Sequence, residues 1–428
     1  MIAFALVTPL GFVTAIMLAM PLDGTLGKST TVSEGAWSTE AQAASAVDFA
    51  SRLEKIVAVV EERFFRDPLE LPNYRAAREA AREAALECTD HREFSVLVNR
   101  YLQSLQASHT YYLTRHDWEY YHLAAVFEPL PEIQSLFQQQ PIAYPSIGVI
   151  LQRRDREWIV ADILPGGPAA KTELRIGDVL LTVNDQPYEP VTIWWPLVDQ
   201  NARLVVRRAA EKLPIEIKPV RVHPGDELLG ALQASISVVE REGSQIGYAH
   251  FYSYAGRKYH EALEQAIQSG PLVDAEALVI DLRYGLGGAD PNYLNLFNQQ
   301  IPLLESIDRE GQASTYATVW RKPLVLLINE TSRSGKEVLA WGAKRHGQAT
   351  LVGTNTAGAV VAGSPIVIDG EDLLYLAVRD VRVDGQRLEG PGVAPDVEVG
   401  MDLSTCRGVD VQKEAALTEA VKLVRKTR

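Results

Sequence analysis

The sequence predicts an α/β multidomain fold: a helical N-terminal region, a β-rich middle module, and an α/β core with a β-rich C-terminal part. Three observations carry that prediction. Apolar residues recur at helical spacing from Phe49 onward, the chain turns to short strands near Pro145, and strands and helices alternate from about Gln245. A length of 428 residues suits about three domains. A 46% hydrophobic and 23% charged composition is ordinary for a globular chain with more than one core.

From Met1 to Leu22 no residue is charged, and the run is apolar apart from Thr8 and Thr14, with Pro9 and Gly11 inside it. Such a run is long enough to cross a bilayer, although the basic leading segment of a signal peptide is missing. Residues 1–45, which continue as a Ser-, Thr-, Gly- and Ala-rich linker, therefore read as an export signal or membrane anchor. A buried N-terminal helix is the alternative. Ala41-Gln42-Ala43 has the form of a cleavage site but lies too far past the apolar run to serve it. The expected location is extracytoplasmic, periplasmic or secreted, with membrane attachment through residues 1–22.

Residues 46–145 read as helical. Phe49, Leu53, Ile56, Val57, Val60 and Phe64 share one helix face. The stretches from Tyr74 to Cys88 and from Glu93 to Leu105 continue the pattern, and the helical unit ends near Ser108-His109. Cys88 and Cys406 are the only cysteines. One disulfide and two buried free thiols fit them equally. His91 follows Cys88 by three residues, but no second pair completes a zinc site, so no metal and no cofactor is expected.

The middle module has strand-like segments at Ile147–Gln152, Glu157–Ile163, Val179–Asn184 and Arg203–Arg207. Pro165-Gly166-Gly167-Pro168 and Asn184-Asp185 punctuate them. Ser146-Ile147-Gly148-Val149 is followed in order by Ile163 to Ala169, Leu174 to Leu180 and Val183 to Gln186. On that succession residues 146–222 resemble a PDZ domain. The resemblance implies that backbone N–H groups at Ile147, Gly148 and Val149 capture the C-terminal carboxylate of a polypeptide added to the sheet edge, glycine allowing close approach. Trp194-Trp195 either cover that groove or belong to the core.

Residues 223–428 form the α/β core. Strand candidates are Ile246–Tyr252, Ala277–Asp281, Leu324–Ile328 and Thr350–Val352, and helix candidates are Lys258–Gln268, Pro291–Gln299 and Gly335–Lys344. A β-rich tail runs from Pro365 to Val399, and Lys413 to Arg425 reads as a closing helix. The buried strand ending at Asp281-Leu282-Arg283 runs into Tyr284-Gly285-Leu286-Gly287-Gly288, a turn whose N–H groups suit a developing oxyanion. It is not the G-x-G-x-x-G of a dinucleotide site. Ser334-x-x-Glu337 is a capping box. A serine at a strand-to-helix turn is also where a nucleophile is presented, beside the positive end of the helix dipole.

These segments are followed by Leu351 to Gly358 and by Gly392-Val393-Ala394-Pro395-Asp396-Val397. In that order, residues 245–400 resemble the catalytic domain of the tail-specific, carboxy-terminal processing serine peptidases and their tricorn-like relatives. The resemblance implies Ser334 as nucleophile. The processing peptidases place a lysine after the Thr-x-Gly turn, whereas here Thr356-Ala357-Gly358 is followed by Ala359, which excludes the usual Ser–Lys dyad. Lys336 and Lys344 read as solvated surface lysines. The tricorn-like branch instead uses a histidine from a Ser-His pair ahead of the PDZ domain and a glutamate before the Gly-Val-x-Pro-Asp turn. Ser108-His109 and Glu389 match those places. The chain is thus identified as closest to that branch, with His109 as base, Ser108 orienting it and Glu389 completing the relay. Gly335, Gly287 and Gly288 would supply the oxyanion donors.

The implied function is a serine-type endopeptidase whose polypeptide substrate engages the PDZ-like domain. Ala359 keeps open a non-catalytic alternative, binding of peptide tails or hydrophobic ligands on the same fold. Lys+Arg 42 against Asp+Glu 55 gives 42 − 55 = −13, and no basic run is present, which argues against nucleic acid. Nothing in the sequence sets an oligomeric state.

Overall fold

The computed structural model describes residues 48–316 and 319–428. The export-signal or anchor reading of residues 1–45 lies outside the described residues, among which no helix is long and apolar enough to cross a membrane.

Helix α1 (Phe49–Arg63) starts at Asp48, whose carboxylate accepts the Ser51 N–H at 3.0 Å. Its buried face carries Leu53, Ile56, Val57 and Val60, as the apolar spacing predicts. Helix α2 (Tyr74–Ala85) follows, then α3 (His91–Gln103), capped by Asp90 through the amides of Arg92 and Glu93. Beyond Ser108 lie β1 (Tyr111–Leu113), α4 (Trp118–Val126) and α5 (Pro131–Leu136), none of which the sequence pattern exposes. Tyr120 to Ala124 are all buried, so α4 has no polar face and leaves no helical stripe to read.

The middle module holds β2 (Tyr144–Ser146), β3 (Val149–Arg154), β4 (Glu157–Ile163), β5 (Val179–Val183), β6 (Gln186–Pro187), β7 (Ala202–Arg208), β8 (Glu211–Ile217) and β9 (Val220–Val222). The main sheet is antiparallel in the order β3-β4-β5-β7-β8, with β6 on β5, so β3 is an edge strand. β2 pairs with β9 where the chain enters and leaves the module. Trp194 is fully buried and packs with Val160, Leu180 and Leu204, so it belongs to the core of the module.

The core contains α6 (Pro224–Ser235), β10 (Ser237–Arg241), β11 (Ser244–His250), α7 (Arg257–Gln268), β12 (Ala277–Asp281), β13 (Leu304–Ile307), β14 (Ala313–Tyr316) and β15 (Leu324–Ile328). It continues with α8 (Gly335–Arg345), β16 (Thr350–Gly353), β17 (Val361–Ile368), β18 (Asp372–Asp380), β19 (Val397–Glu398) and α9 (Val411–Thr427). The expected helix at Pro291–Gln299 is a 3₁₀ segment, Pro291–Phe297. The central sheet runs β10-β11-β12-β15-β16-β19, parallel except for β10. Its strands are apolar on both faces because helices cover both. Val279, Val325 and Leu327 meet Leu417, Ala420 and Val421 of α9. Their neighbours Ile280, Leu326 and Ile328 point the other way, toward Leu228, Leu263 and Leu339 of α6, α7 and α8.

β17 and β18 form an antiparallel hairpin, and β1 adds to the free edge of β18 with Tyr111 opposite Tyr375 and Leu113 opposite Leu373. This pairing carries residues next to His109 onto the C-terminal part of the chain. The loops after β12 and β15 lie together at the carboxyl ends of the strands, where open α/β sheets build their sites.

Candidate active site

β15 ends at Ile328, and its exit loop is tied to the end of β12 by Ser332, whose hydroxyl donates to the Leu282 carbonyl at 3.0 Å. Ser334 then stands at φ 59°, ψ −130°, a conformation that typically costs about 1–3 kcal/mol for a residue with a side chain. Its N–H is shared between the Ala359 carbonyl and Glu337 Oε2, both at 3.0 Å. Glu337, fully buried, also accepts from the Thr356 hydroxyl (2.6 Å) and the amides of Gly358 (2.7 Å) and Ala359 (2.8 Å). The expected capping glutamate is therefore also a clamp on the turn at 356–359. The tight approach of Gly287 completes the corner. A Cβ there would lie 2.5 Å from Ser334 Cβ and 2.8 Å from the Arg333 carbonyl oxygen. The N–H groups of Gly287, Gly288 and Gly335 make no backbone hydrogen bond among the described residues.

His109, itself at φ 52°, is buried. Ser108 Oγ lies 2.9 Å from His109 Nδ1 and donates to Glu389 Oε2 at 2.8 Å, while the Ser108 amide donates to Glu389 Oε1 at 2.8 Å. The Ser108 proton being committed to the carboxylate, Nδ1 is left as the donor to Ser108 Oγ, and the Nε2 lone pair stays free. Glu389 Oε2 also accepts from the Val360 amide at 2.7 Å. The carbonyl of Ala359 holds Ser334 and the amide of Val360 holds Glu389, so two consecutive residues join the pieces. The His109 ring packs against Tyr375, with centroids 5.5 Å apart, and the Arg333 guanidinium lies over Tyr111. Burial, with Arg333 adding to it, lowers His109 to about 3, so the ring is uncharged at neutral pH. No hydrogen bond joins Ser334 Oγ to His109 among those of the described residues.

The reading of Lys336 as a surface lysine is overturned. It is fully buried, its Nζ donates to the Tyr284 carbonyl at 2.6 Å, and burial pulls the amine down to about 7 against the opposing attraction of Asp281. Its position two residues after Ser334 gives no sequence signal, since the inward direction depends on how α8 seats on the sheet. Lys344 is partly exposed and binds Asp396 at 2.9 Å and the Ala394 carbonyl at 2.8 Å. Arg333 and Tyr375, which shape the surroundings of His109, were also not singled out in the sequence. Cys88 and Cys406 are free thiols. His91, Glu371 and Asp372 approach metal-ligand spacing, but Arg52 donates to both carboxylates, so a guanidinium already neutralises the cluster.

In the middle module, Gly148 sits at φ 74°, and a Cβ there would press on Gly167 and Pro168 at 3.1 Å. The close neighbour that calls for glycine is thus the Pro165–Pro168 turn of the chain itself. The Gly148 amide donates to Ser146 Oγ at 2.9 Å, and Ser146 in turn donates to the half-buried Glu227 of α6. Trp118 and His122 of α4 line a cavity of about 20 Å³ together with Ile147, Val149, Ile150 and Leu151. The groove beside β3 therefore lies under α4.

Residues 245–399 match peptidase family S41, and residues 144–193 match the PDZ domain. A probable CtpA-like serine protease of Staphylococcus aureus (strain COL) is 24% identical over 273 residues, covering 60% of this chain and 53% of the relative. One of Staphylococcus haemolyticus (strain JCSC1435) is 24% identical over 275 residues with the same coverage. The chain spans about half the length of these curated relatives. Among solved structures, the tricorn protease superposes with a TM-score of 0.52 at 15% identity, over 88% of this chain and 37% of that one. Mature CPAF complexed with lactacystin superposes at 0.50 and 13% identity, over 89% and 99%. Both share the fold. The chain thus carries a match to peptidase family S41 over residues 245–399, preceded by a match to the PDZ domain over residues 144–193.

Proposed function

We propose that the chain is a serine endopeptidase that cleaves polypeptides through an acyl-enzyme on Ser334. The observation that carries this reading is the hydrogen-bonded run from Glu389 through Ser108 to His109, at 2.8 and 2.9 Å, assembled from residues 281 apart in sequence beside a serine held in a strained conformation.

The chemistry follows from the tautomer. His109 Nε2 takes the Ser334 hydroxyl proton as Oγ attacks the scissile carbonyl, and returns it to the leaving amine. The positive charge that develops on the ring is met by Glu389 through Ser108. The tetrahedral oxyanion is met by the amides of Gly335 and of the Gly287-Gly288 turn, a kind of donor whose loss typically costs roughly 10²–10³ in rate. The hydrogen bond from Ser334 Oγ to Nε2 forms as substrate binds, as is common for catalytic hydrogen bonds. Polypeptide is the expected partner, engaged at the PDZ domain, and the uncharged run at 1–22 supports export.

Ala359 in the place of the family lysine, together with the lack of a Ser334–His109 hydrogen bond among those of the described residues, favours the non-catalytic binder as the second reading. Labelling the full chain with a fluorophosphonate separates the two. The peptidase reading expects labelling of wild type that is lost in Ser334→Ala and in His109→Ala. A folded wild type that takes no label is the binder. Label that survives His109→Ala means another base.

A further inference from the structure

The turn that bears Gly287 and Gly288 is moulded on residues 252–254. The Tyr252 carbonyl accepts the Leu286 amide at 2.7 Å, and the Tyr254 amide donates to the Gly287 carbonyl at 3.0 Å. The side chain of Tyr252 leaves this mould in the other direction and ends in the PDZ domain, where its hydroxyl donates to Asp162 Oδ2 at 2.9 Å. Asp162 lies on β4, and its second oxygen accepts the Ile163 amide at 2.8 Å.

A parallel route runs through His250, at the end of β11. Its Nδ1 is 3.4 Å from Asp162 Oδ2, its ring stacks on Tyr252 with centroids 3.8 Å apart, and its Nε2 lies 3.2 Å from the Arg283 carbonyl at the start of the same turn. Nε2 is also 3.6 Å from Asp281 Oδ1, the carboxylate that binds Arg283. One PDZ carboxylate thus holds the side chains of Tyr252 and His250, and the turn is held by the main-chain carbonyl of the first and the ring of the second. On the other side, Asp162 pairs across the sheet with Ile150, at an irregularity in the β3–β4 register, and Ile150 lines the cavity under α4.

We propose that Asp162 is a positioning residue through which the PDZ domain sets the oxyanion turn, its carboxylate fixing Tyr252 and His250, and they the backbone at Leu286 and Arg283. The proposal rests on the reading of Ser334 as nucleophile and adds a residue that positions its oxyanion donors.

The test is the rate and the endpoint of fluorophosphonate labelling of the full chain, with a melting curve on each variant. The endpoint counts intact sites, whereas the rate reports their geometry. Asp162→Ala and Tyr252→Phe should each slow labelling tenfold or more with the endpoint unchanged. Tyr252→Phe removes only the hydroxyl and keeps the backbone carbonyl, so it decides the matter if Asp162→Ala does not fold. Wild-type rates in both Tyr252→Phe and a folded Asp162→Ala overturn the proposal and leave the peptidase reading intact. A rate loss that only follows a falling endpoint and melting temperature also overturns it. A wild type that takes no label overturns both.

Discussion

Glu389 accepts three hydrogen bonds, from the amides of Ser108 and Val360 and from the Ser108 hydroxyl, and that set of donors defines what its replacement does. Glutamine offers one oxygen where two are used, so Glu389→Gln leaves a buried donor unmet, at a cost of about 1–3 kcal/mol. Ser108 would then be free to turn, and His109 would lose its tautomer. We expect Glu389→Gln to lower kcat at least tenfold, on the order of the losses typical of a disturbed general base, with KM little changed, in a peptide-hydrolysis assay. Gly287→Ala should be harsher. Its methyl would lie 2.5 Å from Ser334 Cβ, so the corner must open, and roughly a hundredfold loss of labelling rate is expected while circular dichroism stays native.

At the scale of elements, α8 presents the serine because Glu337 anchors the helix start to the turn after β16. Its two oxygens receive four donors from Ser334, Thr356, Gly358 and Ala359. An amide there would oppose N–H against N–H. Glu337→Gln should therefore lower stability by about 2–4 kcal/mol, read as a lower urea midpoint with an unchanged m-value. The addition of β1 to β18 is the other decisive element. It is only three residues long, yet it seats Tyr111 against Tyr375 and so places the histidine that precedes it. The pattern around α8 was readable, since a buried strand, a serine and a capping glutamate follow one another. β1 was not, because three residues are too few to show a period.

At the scale of the whole molecule, several histidines are buried and uncharged. Burial lowers both His109 and His122 to about 3, the latter with a smaller contribution from His223. The ordinary value in the unfolded chain is near 6.5, so below that pH the unfolded chain binds protons that the folded one refuses. Stability therefore falls as pH falls from 6.5 toward 3, by about 1.4 kcal/mol per pH unit for each such histidine, and is unaffected above 7. Comparing urea midpoints of wild type and His122→Gln at pH 7 and pH 5 isolates one of them, and a shallower acid slope is expected in the variant. The same depressed value keeps His109 in its basic form, so labelling of Ser334 should not fall with a midpoint near 6.5 as the solution is acidified.

Sequence by itself determined the succession of helical, β-rich and α/β regions. Strand and helix periodicities are local, and β12 and β15 were legible to the residue as apolar runs closed by Asp281 and Ile328. It also singled out Ser334 with Glu337, which interact across three residues, and named Ser108, His109 and Glu389 only through resemblance. Tertiary structure alone decided that the last three meet, because their approach depends on β1 pairing with a hairpin more than 250 residues away. It also decided that Lys336 turns inward, that Trp194 belongs to a core, that α4 lies over the PDZ groove, and that Asp162 reaches Tyr252 and His250. The physical reason is the same in each case. The direction of a side chain relative to its own backbone is local, but what it meets there is set by the packing of distant segments.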